Sequence, residues 1–525
     1  PEWIDRHRGR FDAGWDVLRE ETFARQKALG VVSDDAVLSE RPPWVEAWDD
    51  VDPDRQRLYG RMMEVFAAFL SHTDHHIGRV LDAIEALGQG DDTIVALVSD
   101  NGASAEGGPN GSWNQMRHYV SDAPDDLDEE LAHLDDLGGF RSSGHYPWGW
   151  ALTGNTPFRR WKRYTLEGGV RDPLIISWPA GLGETGGVRH QYAHAVDLPV
   201  TLLDLAGIGL PDKVGGVDQL SFDGVSIVEA LDDPNAADPR TEQYYECWGS
   251  RAIYADGWKA VTNHVNQLTA VERELVEGSD DFAEDRWQLF HVAEDFAENV
   301  DLAEKYPDKL AELVARWDEA AERNQVLPID DGRDNRIAHL HLPWLDFRES
   351  FQLAPGTKLH EVNGPMLVGG FRMTARFAEP LAAGAEGVLC EQGDWLSGWA
   401  WFLAGGAVTW ALNVDGSEHR LSAPIPAGAE LLTVDGVPGA GSMEVVLHAG
   451  AASAVASAEL ATAMPLAFSP DGAFLTVGYG RPVPVCDDYT PPSPAPGSIL
   501  GVGIDVGPPP PFDVDEVLAG YMRHQ

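Results

Sequence analysis

Residues 93–108 read Thr93-Ile94-Val95-Ala96-Leu97-Val98-Ser99-Asp100-Asn101-Gly102-Ala103-Ser104-Ala105-Glu106-Gly107-Gly108. The apolar run Ile94 to Val98 stops abruptly at Ser99, Asp100, Asn101 and Gly102. A short β-branched run of this kind reads as a strand buried on both faces. Open α/β sheets place their ligands just beyond the carboxyl ends of such strands. Asp100 offers a carboxylate and Asn101 an amide oxygen, both hard donors that suit Ca2+ or Mg2+. Gly102, Gly107 and Gly108 permit the tight backbone that aims such ligands. Asp-Asn-Gly after a strand is equally ordinary turn chemistry. Ca2+ takes about 6–8 oxygens, and this pair supplies two or three, so a metal reading requires ligands from elsewhere.

Upstream, Leu58, Met62, Val65, Phe66, Phe69, Ile77, Val80, Ile84 and Leu87 follow helical spacing. The helix starts at Asp52 and stops near Gly88 and Gly90, which suit a C-cap. Helix, loop and strand in this order belong to an α/β layered domain. His72 and His76 stand at i and i+4 on the helix, a metal-compatible spacing. No third ligand is placed to complete that site, and packing is the preferred reading. The first 50 residues are rich in Trp, Asp and Arg; Phe11 to Leu29 suggest a short helix, and Pro42-Pro43 closes the segment.

Downstream, residues 103–155 lack periodicity and include an acidic run, Asp122 to Asp136. A long irregular loop after a strand end is often functional, and His118 and His145 are candidates to approach a substrate. Thr156 to Pro173 then carries five cations among eighteen residues, in a chain of net charge −47. Such a cluster attracts and focuses an anion; pairing of Arg159, Arg160 and Arg163 with nearby carboxylates is the alternative. Leu174 to Trp178 reads as a second buried strand. His194 to Ile208 reads as a helix with Asp197 as N-cap, Pro199 in its first turn and Gly207 as its stop.

Pro211 to Ala237 is a loop-rich connection. Gln243–Trp248, Arg251–Tyr254, Trp258–Val261 and Trp287–Val292 read as short strands, with Asp256-Gly257 as a hairpin turn. Pro307-Asp308 opens a helix. From about Ile337, short strands with Gly-rich turns follow one another without helices, which suggests an all-β sandwich. Trp395, Trp399 and Trp401 belong to its core or to a carbohydrate-stacking face, the core being preferred. Val514 to Arg523 suggests a terminal helix. The expected domains are 1–237, 238–338 and 339–525.

Composition narrows the function. The charge of −47 argues against nucleic acid, whose phosphates need clustered Lys and Arg, and against an anionic membrane surface. No run approaches 18 uninterrupted apolar residues. Only seven of the 38 basic residues are Lys. The three cysteines, Cys247, Cys390 and Cys486, form no zinc spacing, and an odd, sparse set argues against a disulfide scaffold.

Three stretches together resemble type I sulfatases of the alkaline-phosphatase superfamily. They are Val98-Ser99-Asp100-Asn101-Gly102, the Pro157–Pro173 segment with Lys162 and Glu167-Gly168-Gly169, and Asp197-Leu198-Pro199-Val200-Thr201-Leu202-Leu203. Phe11 to Arg19, Thr73-Asp74-His75-His76-Ile77-Gly78-Arg79, Gly257-Trp258-Lys259-Ala260 and Trp287 to Phe290 resemble bacterial arylsulfatases in the same order. The resemblance spans about residues 1–335. It implies an α/β fold: a partial alkaline-phosphatase-like sulfatase domain with a small α+β subdomain, followed by an all-β, concanavalin-like sandwich.

The resemblance implies a divalent metal, Ca2+ with Mg2+ as the alternative, at Asp100 and Asn101. It implies that Lys162 contacts the sulfate of a small-molecule sulfate ester and neutralises developing charge. Leu166 stands where His or Tyr is frequent in the family. These enzymes use a formylglycine nucleophile made from a Cys/Ser-x-Pro-x-Arg motif, and no Cys or Ser here has that context. The paired N-terminal aspartates and the upstream Lys/His pair are missing too. The chain is therefore expected to be the C-terminal portion of a longer sulfatase and inactive alone. A phosphatase or phosphodiesterase of the same superfamily, and a non-catalytic glycan-binding protein, are the competing functions.

Overall fold

The computed structural model describes residues 2–115, 126–139, 141–183, 186–265, 278–329, 331, 348–414, 416–425, 428–449, 453–462, 464–465, 468 and 474–508. His118 and the expected terminal helix Val514–Arg523 lie outside the described residues. The chain divides into two compact units. One comprises residues Pro1–Trp113, Leu127–Gly138 and Gly144–Asn335; the other Asn114–Asp126, Gly139–Ser143 and Arg336–Gln525.

The first unit is organised by tryptophans. Helix α1 (Gly14–Ala28) and the long helix α2 (Pro53–Ala86) meet the short helix α3 (Trp148–Gly154). Trp15 of α1 sits edge-on to Trp48 at 4.7 Å and to Trp150 of α3 at 5.6 Å. Trp150 donates its indole N–H to the Tyr59 carbonyl at 2.9 Å, so this fully buried ring is also satisfied as a donor. Asp52 caps α2 by accepting from the Asp54 N–H at 2.9 Å, and Gly88 takes a φ of +69° just beyond its end. No described helix is long and apolar enough to cross a membrane.

Strand β1 (Val95–Val98) follows α2, after an Asp91-Asp92 connection. It pairs antiparallel with β2 (Leu174–Ser177), Val98 opposite Leu174, in a two-stranded sheet. The expectation of a strand buried on both faces fails: Leu97 and Val98 are each 45% exposed, and Ile175 is 59% exposed. Among the described residues no third strand joins this sheet. The apolar run dictates a strand, but burial depends on what packs over it, which periodicity does not encode.

Helix α4 (Glu167–Val170) precedes β2, and helix α5 (Asp197–Leu205) follows it. Asp197 is not the N-cap of α5, which is Val196. Its buried carboxylate instead accepts from the backbone N–H of His194 and of Val225, both at 2.8 Å, and pairs with Arg240. A four-stranded antiparallel sheet comes next: β3 (Glu242–Cys247), β4 (Ser250–Ala255), β5 (Trp258–Thr262) and β6 (Trp287–Phe290), in that order. Asp256 and Gly257 have φ of 50° and 83°, the doubly positive turn that joins twisted strands tightly. Helix α6 (Pro307–Arg323) covers the sheet through Leu313, Trp317 and Ala321.

The second unit is built on two six-stranded antiparallel sheets. Its strands are β7 (Ser350–Leu353), β8 (Lys358–His360), β9 (Phe371–Phe377), β10 (Gly387–Gly393), β11 (Gly398–Ala404) and β12 (Ala407–Val414). They continue with β13 (Ser417–Pro424), β14 (Leu431–Pro438), β15 (Met443–Ala449), β16 (Ser453–Leu460), β17 (Phe474–Val477) and β18 (Ile499–Val506). One sheet runs β8-β17-β10-β11-β12-β13 and the other β16-β15-β14-β9-β18-β7. Both contribute to one core, with Trp399, Trp401 and Trp410 from the first sheet beside Met373, Val434 and Ile504 from the second. Trp399 and Trp401 are fully buried, which removes them from any sugar-stacking face.

Candidate functional site

The segment after β1 is laid strand-like along the 155–173 segment by a ladder of short contacts. Ser99 N–H donates to the Pro173 carbonyl at 3.3 Å and Gly102 N–H to the Gly169 carbonyl at 3.2 Å. Lys162 N–H returns a bond to the Ala103 carbonyl at 3.0 Å. Asn155, buried at the end of α3, ties both sides. Its amide oxygen accepts from Ala103 N–H at 2.8 Å, and its NH2 donates to the carbonyls of Arg160 at 3.0 Å and Gly168 at 2.8 Å. Trp148 donates its indole N–H to the Ala105 carbonyl at 3.1 Å. The backbones touch so closely that a Cβ on Gly102 would lie 1.8 Å from the Gly168 oxygen, and one on Gly168 2.1 Å from the Arg159 oxygen. Gly102 is thus required by the Gly168 carbonyl, and Gly168 by the Arg159 and Arg160 carbonyls.

This packing holds Asp100 and Asn101 between the Ser99 and Gly102 rungs of the ladder, with Lys162 on the Ala103 rung. Among the described residues no hydrogen-bond or ion-pair partner engages the Asp100 carboxylate or the Asn101 amide. Asp172 lies near enough to feel Asp100: burial, and then the Asp100 charge, raise its pKa to about 6. Two carboxylates and an amide oxygen are a donor set of the right kind for a hard divalent cation, which would relieve that repulsion. They are fewer than the 6–8 oxygens Ca2+ takes, and among the described residues no group of three or more His, Cys, Asp or Glu side chains is arranged to hold a metal.

Lys162 carries its ammonium 3.1 Å from each carboxylate oxygen of Glu106. Burial raises the Glu106 pKa, but the hydrogen bond and charge of Lys162, the Ser104 hydroxyl and Arg163 outweigh it and hold the carboxyl below its usual value. The Ser104 hydroxyl lies 2.9 Å from Glu106 Oε2 and 2.9 Å from His145 Nε2. His145 Nδ1 faces the Tyr146 carbonyl at 3.0 Å. That nitrogen therefore carries the proton of the neutral ring and Nε2 accepts. Burial keeps the ring neutral by lowering its pKa. The single Ser104 proton is shared between two acceptors, the imidazole and the carboxylate.

Arg159, Arg160 and Arg171 of the 156–173 cluster serve the framework. Arg159 donates to the Glu298 carbonyl at 2.8 Å. Arg160 is buried, 5.0 Å from the Trp44 ring and 5.2 Å from the Tyr164 ring. Arg171 pairs with Glu167. Glu167 also receives Lys259 at 2.7 Å, and Lys259 stands 3.2 Å from Glu298. Burial opposes ionisation of Glu167, but Arg171 and Lys259 prevail and lower its pKa to about 2; Glu298, buried with only a share of Lys259, is raised. Leu166 is fully buried, so the position where the family often has His or Tyr is here part of the core. His72 and His76 are exposed, their Nε2 atoms 3.0 Å apart, well away in sequence from the ladder.

Glu106 and Asn155 had no motif to flag them. Glu106 stands within the 93–108 stretch, and Asn155 precedes the Thr156–Pro173 cluster, but their partners are 56 and 52 positions away.

Residues 3–208 match the family described as sulfatase, and residues 159–323 that described as N-sulphoglucosamine sulphohydrolase, C-terminal. An uncharacterized sulfatase of Schizosaccharomyces pombe is 29% identical over 319 residues, 60% of this chain and 53% of that one. An arylsulfatase of Klebsiella aerogenes is 27% identical over 233 residues, 43% of this chain and 47% of that one. The N-acetylgalactosamine-6-sulfatase of Canis lupus familiaris is 29% identical over 159 residues, 30% of this chain and 21% of that one. The chain spans about half the length of the first two relatives. Sulfatases act on sulfate esters and as a family use a metal ion and a formylglycine. Through residues 3–323, the chain belongs to the type I sulfatase superfamily.

Proposed function

We propose that the protein hydrolyses sulfuric esters, aryl sulfates among them, with Lys162 binding the sulfate and Asp100 and Asn101 helping to hold a divalent cation, Ca2+ in preference to Mg2+. The observation that carries this reading is the Lys162–Ala103 backbone bond at 3.0 Å, which fixes the lysine beside the Asp100-Asn101 turn. A bound cation would polarise sulfate oxygens as a Lewis acid. Lys162 supplies a compact positive charge on a long stem, suited to neutralising charge on the ester as it breaks. Asn155 and the close packing of Gly102 on Gly168 and of Gly168 on Arg159 keep lysine and turn in register, which is where orientation contributes to rate.

The nucleophile is proposed to be a formylglycine outside these 525 residues, since no Cys or Ser of the chain stands in a Cys/Ser-x-Pro-x-Arg sequence. The likeness to an arylsulfatase supports aryl sulfates as the first substrates to try. The test is hydrolysis of 4-nitrophenyl sulfate and 4-nitrophenyl phosphate by the full-length gene product and by the 525-residue chain. Faster turnover of the sulfate by the full-length product is expected, with none by the chain. Faster turnover of the phosphate would favour the phosphatase reading. Enzyme-like turnover by the chain alone would overturn the external nucleophile.

A further inference from the structure

We propose that Glu106 is a specificity-determining residue: its carboxylate, fixed against Lys162, offsets the advantage that a doubly charged phosphate ester would otherwise have over a singly charged sulfate ester at this lysine. This inference rests on the reading of Lys162 as the anion contact.

An ammonium alone attracts any anion, and a second negative charge on the ligand increases the attraction. Here the ammonium is already engaged by both Glu106 oxygens at 3.1 Å. Both side chains remain partly open, 35% for Lys162 and 28% for Glu106, so a ligand can reach the lysine while the carboxylate stays beside it. The carboxylate is also held from behind. Ser104 bonds to it at 2.9 Å and is itself bonded to His145 at 2.9 Å. Trp148 pins the adjoining Ala105 carbonyl at 3.1 Å. Glu106 therefore does not swing away freely when an anion arrives.

An arriving ester then meets a pair of zero net charge. A sulfate monoester carries one negative charge at neutral pH, whereas a phosphate monoester carries nearly two above its second pKa of ~6. Each ligand charge held by Lys162 is also repelled by the adjacent Glu106 carboxylate, so the extra attraction of the second charge to the lysine is partly cancelled. At the screening of a half-open site, that second repulsion shifts the ratio of affinities on the order of tenfold. The same carboxylate competes for Lys162, so its neutralisation tightens both esters, the phosphate more.

The experiment measures binding of 4-nitrophenyl sulfate and 4-nitrophenyl phosphate to the 525-residue chain by titration calorimetry, at pH 8 in the presence of Ca2+. The wild type is compared with Glu106→Gln, Glu106→Asp and Lys162→Ala. Wild type sets the reference ratio of the two affinities. Glu106→Gln is expected to move the ratio about tenfold toward the phosphate, and Glu106→Asp, which keeps the charge, to hold it within about twofold. Lys162→Ala is expected to weaken both esters at least about tenfold. If Lys162→Ala weakens binding while Glu106→Gln leaves the ratio within twofold, the role of Glu106 is overturned and that of Lys162 stands. If the wild type binds neither ester, or Lys162→Ala binds both like wild type, the reading of Lys162 fails and this inference with it.

Discussion

Asn155 makes three hydrogen bonds from a buried position, and every partner is a backbone group of the site. Replacing it by Ala leaves one N–H and two carbonyls unmatched in the interior. Each buried, unsatisfied group costs about 1–3 kcal/mol. Asn155→Ala is therefore expected to destabilise the first unit by about 3 kcal/mol or more, read as a lowered urea midpoint of its unfolding transition. An unchanged midpoint would show that the ladder is held by its glycines alone. Ester affinity, measured where the variant is still folded, should fall with it, because Asn155 ties the backbone after the Asp100-Asn101 turn to the segment that carries Lys162.

At the scale of elements, the buried charges beside α4 give a pH signature. Glu167 is held at about pKa 2, below its ordinary 4.5, so its contribution is present above pH 4.5 and lost as pH falls toward 2. Glu298 is raised, so its contribution has the opposite sign: present below its ordinary pKa and lost as pH rises through the raised one. Lys259 serves both carboxylates, and Lys259→Met leaves Glu167 with Arg171 alone and Glu298 without a cation among the described residues. The variant is expected to lose ~3–5 kcal/mol near neutral pH. The deficit should narrow at pH 5, where the stranded Glu298 carboxyl takes up a proton. Urea unfolding at pH 8 and pH 5 checks this, and a deficit independent of pH would contradict it.

The β1–β2 pair supplies a contrast within the same unit. Leu97→Ser alters a half-exposed side chain and is expected to change stability by no more than ~0.5 kcal/mol. Leu152→Ala empties a fully buried position in α3 and is expected to cost ~2–5 kcal/mol. Equal costs, measured by the same unfolding assay, would show that β1 is covered in solution.

These elements also show what the sequence discloses. The strand after Asp92, the helix from Asp52, the Asp256-Gly257 hairpin and the alternation Phe371–Phe377 follow local periodicity and turn chemistry, and all form as read. Burial of β1 did not follow, because it depends on neighbours in space. Asp197 looked like an N-cap because acid before a helix commonly is one. Its true partner, Arg240, is 43 positions away. The Asp-Asn-Gly and Glu-Gly-Gly motifs were legible separately; that Gly102 and Gly168 are pressed together was not. For the same reason Glu106 and Asn155 passed unread.

At the scale of the whole molecule, an acidic chain of net charge −47 presents a lysine at a carboxylate-rich turn. A cation that binds the folded first unit but not the unfolded chain raises its unfolding temperature in proportion to occupancy. Millimolar Ca2+ is expected to raise that temperature by a few degrees, EDTA to reverse the shift, and Asp100→Ala to abolish it. A shift of equal size in Asp100→Ala would place the cation elsewhere on the acidic surface.

The central claim is that Lys162, aligned with Asp100 and Asn101, forms the sulfate-binding side of a sulfatase site. Its most direct test is the affinity of the chain for 4-nitrophenyl sulfate in Ca2+, with Lys162→Ala as the comparison. A charge-assisted hydrogen bond contributes about 1.5–3 kcal/mol, so an affinity loss of roughly 10- to 100-fold is predicted. Undiminished binding by Lys162→Ala, at unchanged thermal stability, would contradict the account.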